Sequence, residues 1–214
     1  MIKGVKICGV SDLVTLEYII KHSCPPQFVG FITNYKKSKR YVDLEILKRL
    51  TSIKRNKVNF VSVLVNPDDE ILEKIKDLQL DYYQLYDVDP KRTKLIKNKY
   101  KKKIITSLMI ENKNNIENYK LYQDISDIIL FDGKGYEKSI GFDHLLLKDI
   151  PKNITIMIAG DIKIDKIPIL KNIDYIIDIS GSLESNEGKK DLQKIDYFLK
   201  NIKQYETNKK GTSN

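Results

Sequence analysis

Two side chains at the ends of apolar runs could form an acid and base pair. Cys8 ends the run Val5–Ile7, and Asp132 ends the run Ile128–Phe131. A thiol that loses its proton readily can take a carbon-bound proton as a general base. A half-buried carboxyl, with its pKa raised toward neutrality, can act as a general acid. The two residues predict proton-transfer chemistry that needs neither a metal nor an organic cofactor.

Both residues also have a purely structural interpretation. Free cysteine is among the most buried residue types, so Cys8 can be a small core side chain. A carboxylate at a strand end often caps the next helix, which would account for Asp132. The two cysteines, Cys8 and Cys24, have neither metal-ligand spacing nor a disulfide framework. We therefore predict no metal site and no cofactor.

Strand-like and helix-like segments alternate along the chain. The predicted strands are residues 5–9, 28–33, 59–65, 82–86, 103–108, 127–131, 155–159 and 175–179. The predicted helices are residues 12–22, 43–52, 69–78, 90–97, 116–123, 142–149, 163–171 and 192–202, with Ser11, Asp43, Asp68 and Asp191 as candidate N-caps. Eight such units in 214 residues predict an α/β fold, a (β/α)₈ TIM barrel. An open doubly wound sheet fits less well, because no Gly-rich turn follows the first strand.

The barrel has direct consequences for the position of an active site. Such sites lie at the C-terminal ends of the strands, where Cys8, Asp132, Gly160 and Ser180 fall. We predict a single domain over residues 1–204, followed by a mobile polar tail over residues 205–214.

The order of short motifs resembles that of the phosphoribosylanthranilate isomerase family over about residues 3–203. The matching pieces are Lys6–Gly9, Val29–Phe31, Ser38–Val42, Val63–Asn66, Gln84–Leu85, Leu130–Asp132, Phe142–Asp143, Ile158–Gly160, Asp178–Ser180, Glu184 and Gly188–Asp191. Their shared order and spacing carry the resemblance.

The resemblance implies an Amadori rearrangement of an aminoaldose phosphate, N-(5'-phosphoribosyl)anthranilate, in tryptophan biosynthesis. It implies that Asp132 protonates the furanose ring oxygen and that Cys8 takes the proton from C2. Arg40 matches an arginine near the anthranilate, and Asp178 matches a carboxylate in the site. The substrate phosphate is expected at backbone amides after the seventh and eighth strands, at Gly160 and the segment Ser180, Gly181 and Ser182.

Four loops depart from the family pattern. The double glycine after the seventh strand is Gly160–Asp161, and Ser-Ser-Gly after the eighth is Ser180–Ser182. The glycines of the loop Gly133–Gly141 are rearranged, and Gln-Leu-His-Gly has become Gln84–Asp87. A carboxylate at Asp161 would repel a phosphate.

These departures leave two interpretations open. In the first, Lys163 or Lys166 supplies the charge that Asp161 removes, the serines donate hydrogen bonds, and the chain is a divergent active isomerase. In the second, it is a repurposed barrel that acts on another phosphosugar or serves as a non-catalytic binding protein. Retention of Cys8 and Asp132 together with Arg40 and Asp178 favours the first.

The amino-acid composition limits the classes of binding partner that we expect. The net charge is +9, but the lysines are spread over the chain and tryptophan is absent, so we expect a solvated surface and no nucleic-acid partner. The first residues leave no room for a signal peptide and no apolar run reaches bilayer length, so we expect a cytoplasmic protein with no membrane partner. The expected partner is a small phosphosugar, bound by a monomer or a homodimer.

Overall fold

Eight parallel strands close into a barrel. The computed structural model describes residues 1–136, 140–165, 167, 170, 173–186 and 188–207, with side chains as far as residue 203. The strands are β1 (Ile2–Cys8), β2 (Phe28–Ile32), β3 (Asn59–Val65), β4 (Tyr82–Tyr86), β5 (Lys103–Ile110), β6 (Ile128–Gly133), β7 (Ile156–Ile158) and β8 (Tyr175–Ile179). Each pairs with the next in chain order, and β1 pairs with β8. The predicted TIM barrel is confirmed.

Helices follow most of the strands. They are α1 (Leu13–Lys21), α2 (Leu44–Thr51), α3 (Asp69–Ile75), α4 (Pro90–Tyr100), α5 (Lys113–Ile116) and α6 (Leu192–Thr207). Asp43 and Asp68 cap α2 and α3 as predicted. The prediction of Ser11 as the cap of α1 is wrong. Asp12 takes that position, because its carboxylate accepts from both the Thr15 amide and the Thr15 hydroxyl at 2.8 Å.

Three predicted helices differ from the structure. The helix after β5 is the short α5 continued by a 3₁₀-helix, Glu117–Leu121, and the helix after β6 is a 3₁₀-helix, His144–Asp149. In the predicted helix over residues 163–171, the described residues 163–165, 167 and 170 are not helical. Residues 166, 168, 169 and 171 lie outside the described part of the chain. The sequence there carries Pro168, and proline disfavours a helix interior.

An antiparallel hairpin after β8 was not predicted. It consists of β9 (Glu184–Asn186) and β10 (Lys189–Lys190) and leads into α6. The α6 helix continues to Thr207, three residues beyond the predicted end of the domain at residue 204. The remainder of the predicted mobile tail, residues 208–214, lies outside the described residues.

Side chains of the strands alternate between two packed layers. On β1, Ile7 faces the outer cluster beneath the helices, whereas Cys8 packs against the cluster inside the barrel. This period of two places Lys6 on the same inward face as Cys8. In the same way Leu130 and Asp132 point inward on β6. No helix within the described ranges is long and apolar enough to cross a membrane.

Candidate active site

A cavity of about 390 Å³ opens at the C-terminal ends of the barrel strands. The eight residues that the sequence predicts for the site all line it: Cys8, Arg40, Asp132, Gly160, Asp178, Ser180, Gly181 and Ser182. They come from four strand ends and the loop after β2. The barrel therefore brings together residues that are far apart in the chain.

The thiol of Cys8 lies beside a buried ion pair. Lys6 Nζ is 2.7 Å from Asp178 Oδ2, and the two side chains are only 0% and 5% exposed. Burial raises the pKa of the Cys8 thiol, and the positive charge of Lys6 is the largest influence that opposes this rise. Burial also opposes the charged form of Lys6, but attraction to Asp178 and Cys8 nevertheless raises its pKa. The candidate base thus has a cation as its neighbour.

Asp132 receives a hydrogen bond from a buried tyrosine. The hydroxyl of Tyr86 donates to Asp132 Oδ2 at 2.8 Å, and Gln84 Nε2 donates to the Tyr86 oxygen at 3.2 Å. Burial, followed by the nearby charge of Asp132, raises the pKa of Tyr86 well above its ordinary value. The tyrosine therefore remains a proton donor to Asp132 throughout the ordinary pH range.

The hairpin after β8 holds Arg40. Glu184 accepts from Arg40 Nε at 2.5 Å and from Nη2 at 3.1 Å, and it also accepts from Lys190 Nζ at 2.8 Å. Burial opposes ionisation of Glu184, but Arg40 and Lys190 together lower its pKa. A Cβ on Gly188, whose φ is +86°, would lie 2.7 Å from the carbonyl oxygen of Lys39. Glycine at this turn lets the hairpin approach the Arg40 loop.

The loops after β7 and β8 form the other end of the cavity. Gly160 has φ +89° and Asp161 has φ +50°, so the residue that replaces the second glycine adopts the left-handed conformation, which Asp tolerates better than most residues. Lys163 Nζ is 3.4 Å from Asp161 Oδ2. Lys166 lies outside the described residues.

The serines of the loop after β8 bind protein backbone. Ser180 Oγ donates to the carbonyl of Cys8 at 3.0 Å, and Ser182 Oγ donates to the carbonyl of Ile162. In this arrangement their hydroxyls fix the loop, whereas the interpretation of the chain as a divergent isomerase has them donate to a phosphate.

Three tyrosines line one wall of the cavity. The rings of Tyr35 and Tyr136 have centroids 5.1 Å apart, and those of Tyr86 and Tyr136 are 5.8 Å apart. The hydroxyl of Tyr136 donates to Asp87, which joins the loop after β6 to the loop after β4. This wall offers an apolar surface to a planar ring. Within the described ranges no three His, Cys, Asp or Glu side chains are grouped to hold a metal ion.

Comparison with known proteins identifies the family. The family model for N-(5'-phosphoribosyl)anthranilate (PRA) isomerase matches residues 5–201. The chain belongs to the PRA isomerase family. The resemblance seen in the sequence and the enzyme class, an isomerase, are thereby confirmed.

Individual PRA isomerases match over nearly their whole length. The N-(5'-phosphoribosyl)anthranilate isomerase of Agrobacterium fabrum is 28% identical over 97% of this chain and 98% of its own. A crystal structure of phosphoribosyl anthranilate isomerase in complex with reduced 1-(o-carboxyphenylamino)-1-deoxyribulose 5-phosphate has a TM-score of 0.80 at 25% identity, covering 95% of this chain and 100% of that one. Monomers generated from the dimeric enzyme of Thermotoga maritima have a TM-score of 0.77 with the same identity and coverage.

Sequence reasoning did not assign a role to Lys6, Tyr86 or Lys190. Lys6 was visible only as part of a family motif, although a lysine on the inward face of a buried strand is itself a signal. The position of Tyr86 at a strand end does not reveal its hydrogen bond to Asp132. Lys190 depends on the hairpin that the sequence did not predict.

Proposed function

We propose that the chain catalyses the Amadori rearrangement of N-(5'-phosphoribosyl)anthranilate to the carboxyphenylamino-deoxyribulose phosphate in tryptophan biosynthesis. One observation carries this proposal: Cys8 and Asp132 line the same cavity although they come from β1 and β6, which are not neighbours in the barrel. An acid and a base on different sides of a bound sugar can act on two of its atoms.

The first step is ring opening. Asp132 gives its proton to the furanose ring oxygen, the bond from C1 to that oxygen breaks, and the anthranilate nitrogen supplies the electron pair that forms the iminium ion. Tyr86 fixes the carboxyl by its 2.8 Å hydrogen bond, which limits its rotation away from the substrate.

The second step is proton abstraction at C2. The Cys8 thiolate takes this proton, the electrons move to the iminium nitrogen, and an enolamine forms. Tautomerisation then gives the ketone at C2, since the C2 hydroxyl loses its proton and C1 gains one. Transfer of a proton from Cys8 to Asp132 by way of solvent restores both side chains for the next turnover.

The rest of the cavity supplies groups that fit the ends of the substrate. Arg40, oriented by Glu184, presents a cation for the anthranilate carboxylate. Asp178 Oδ1 is buried and has no hydrogen-bond partner among the described residues, so it can accept a hydrogen bond from a sugar hydroxyl. The phosphate fits between Gly160 and Gly181, where Lys163 offsets the charge of Asp161.

A second candidate function rests on Asp161. Its carboxylate lines the cavity beside the proposed phosphate position, and it is 57% exposed, so solvent weakens its pairing with Lys163. This observation favours a repurposed barrel for another phosphosugar, or a binding protein without catalysis.

Turnover of freshly generated phosphoribosylanthranilate separates these possibilities. Loss of its fluorescence is followed with the wild type, Cys8→Ala and Asp132→Asn, with Cys24→Ser as a matched control. Cys24 lies in the loop before β2 and does not line the cavity. We expect turnover by the wild type and the control and loss of at least about 10³-fold in the two other variants. A folded wild type without turnover would refute the proposal and direct the search to other phosphosugars.

We further propose a cytoplasmic location and a monomeric or homodimeric state. The cysteine usage supports a reducing compartment, and the dimeric relative supports the larger assembly. Sedimentation of the purified protein decides between monomer and dimer, and fractionation of the source cells tests the location.

A further inference from the structure

Lys6 is a charged residue at the centre of a barrel. It lies on β1 two residues before Cys8, is 0% exposed, and its ammonium contacts the Asp178 carboxylate at 2.7 Å. A lysine is almost never fully buried unless it is paired. Its position therefore calls for an explanation in terms of its neighbours.

Lys6 and Cys8 meet beside a single glycine. Gly30 is the register partner of Cys8 on β2. A Cβ at Gly30 would lie 3.0 Å from Lys6 Cε, 3.2 Å from Lys6 Nζ and 3.1 Å from Cys8 Sγ. The absence of a side chain there leaves room for the ammonium and the thiol to lie next to each other.

Charged groups of both signs surround the thiol. Lys6 pairs with Asp178, and Glu184 pairs with Arg40 and Lys190. Asp132 lines the same cavity and accepts a hydrogen bond from Tyr86. Among the charged groups, Lys6 has the largest effect on the pKa of Cys8 and favours the thiolate, whereas the next largest, Asp178, opposes it.

We propose that Lys6 is a positioning residue that shifts the ionisation of Cys8 toward the thiolate, the form in which it can act as a base. The proposal rests on the proposed function of Cys8. Lys6 is the strongest of the groups that lower the pKa of Cys8 against the effect of burial, and Lys190 acts in the same direction more weakly. Without Lys6, burial alone would keep the thiol protonated to a higher pH.

Fold stability is an incomplete explanation for Lys6. Replacement of a buried ion pair by apolar residues of similar volume is often neutral or stabilising, because two charges must lose their water. Pairing with Asp178 alone thus gives no net reason to place an ammonium inside the barrel. We therefore assign Lys6 a second role, which is to shift the ionisation of Cys8 toward the thiolate.

The ionisation of Cys8 can be measured directly. In a Cys24→Ser background, Cys8 is the only cysteine of the sequence, and it lines the open cavity. The rate of alkylation by iodoacetamide is measured against pH, and the midpoint of this dependence gives the pKa of the Cys8 thiol. For Lys6→Met, which keeps the length and removes the charge, we expect the midpoint to rise by at least about one pH unit, or about tenfold slower alkylation at a fixed pH below it.

Two further variants separate this effect from damage to the fold. Lys6→Met leaves Asp178 buried without its partner, so Lys6→Met/Asp178→Asn is compared with Asp178→Asn alone. We expect the alkylation midpoint of the double variant to be higher than that of Asp178→Asn alone. Midpoints unaffected by Lys6→Met in both backgrounds would overturn the proposal.

The turnover assay distinguishes this result from the proposed function. If phosphoribosylanthranilate is turned over, the acid limb of the pH profile for kcat/KM should move with the alkylation midpoint, and an acid limb that stays in place would overturn the role of Lys6 in catalysis. If there is no turnover but the midpoint shifts, the proposed function fails while the effect of Lys6 on the thiol stands.

Discussion

Tyr86 differs from the other tyrosines of β4 in what its hydroxyl contacts, since it donates to Asp132 at 2.8 Å. We predict that Tyr86→Phe lowers kcat about tenfold, because Asp132 gains negative charge as it gives up its proton and one hydrogen bond to a charged group contributes roughly 1.5 kcal/mol. KM should change little, since Tyr86→Phe keeps the ring that lines the cavity and removes only the hydrogen bond to the acid. Steady-state kinetics in the fluorescence assay test this prediction.

Tyr83 provides the control on the same strand. It packs in the outer cluster, and its hydroxyl is buried without a hydrogen-bond partner among the described residues. Removing an unpaired buried hydroxyl is not destabilising in itself. Tyr83→Phe should therefore leave kinetics unchanged and keep or raise the free energy of unfolding. Equal loss of kcat in the two variants would show that the effect of Tyr86→Phe is not specific to Asp132.

At the residue scale, the candidate base and acid could be predicted from the sequence. The residues that contact and orient them were harder to predict. Cys8 and Asp132 stand at the ends of apolar runs, which makes them visible as candidates. The hydrogen bond from Tyr86 and the proximity of Lys6 to Cys8 depend on which strands the barrel brings together and on side-chain rotation. Likewise, the positive φ of Asp161 is set by the loop as a whole.

Gly30 on β2 leaves room for two side chains of β1. Because a Cβ there would lie 3.0 to 3.2 Å from Lys6 and Cys8, we predict that Gly30→Ala lowers kcat/KM about tenfold or more as the two side chains are displaced. Gly4→Ala on β1 is the matched control. The three atoms nearest to its Cβ all belong to the flexible end of the exposed Gln27 side chain, which can move into solvent. Comparable losses of activity in both variants would contradict this prediction.

At the element scale, the strands were predictable because each is a short apolar run that the barrel buries on both faces. The connections after β5, β6 and β7 were less predictable. The 3₁₀-helices after β5 and β6 are short, and the described residues 163–165, 167 and 170 after β7 are not helical, so tertiary contacts outweigh helix propensity there. The β9 and β10 hairpin has no apolar alternation, and interactions of Glu184 with Arg40 and Lys190 hold it in place.

At the scale of the whole molecule, the net charge of +9 is spread over a surface of mixed sign. Exposed lysines form pairs within helices, such as Lys21 with Glu17 at 2.6 Å and Lys200 with Asp196 at 2.8 Å. We therefore predict weak retention on a polyanion column at about 150 mM salt, because few lysines are grouped to neutralise successive phosphates. A steep dependence of binding on salt, corresponding to about six or more phosphate contacts, would instead indicate a nucleic-acid partner.

The response of stability to pH should depend on His144. Its Nε2 lies 3.2 Å from the carbonyl oxygen of Ala159, and burial lowers the pKa of the imidazole from its ordinary value of 6.5. In the unfolded chain the ring takes up a proton near pH 6.5, whereas in the folded protein it does so only at lower pH. Acidification from pH 7 to pH 5 thus favours unfolding, by at most about 1.4 kcal/mol per pH unit for one proton.

We predict that His144→Gln reduces the slope of the free energy of unfolding against pH in this interval, even if the variant is less stable at pH 7. Urea unfolding at several pH values measures the slope. Leu145→Gln introduces the same side chain at an exposed position of the same 3₁₀-helix and removes no titratable group, so its slope should match that of the wild type. If His144→Gln also retains the wild-type slope, carboxylates elsewhere in the barrel determine the acid sensitivity.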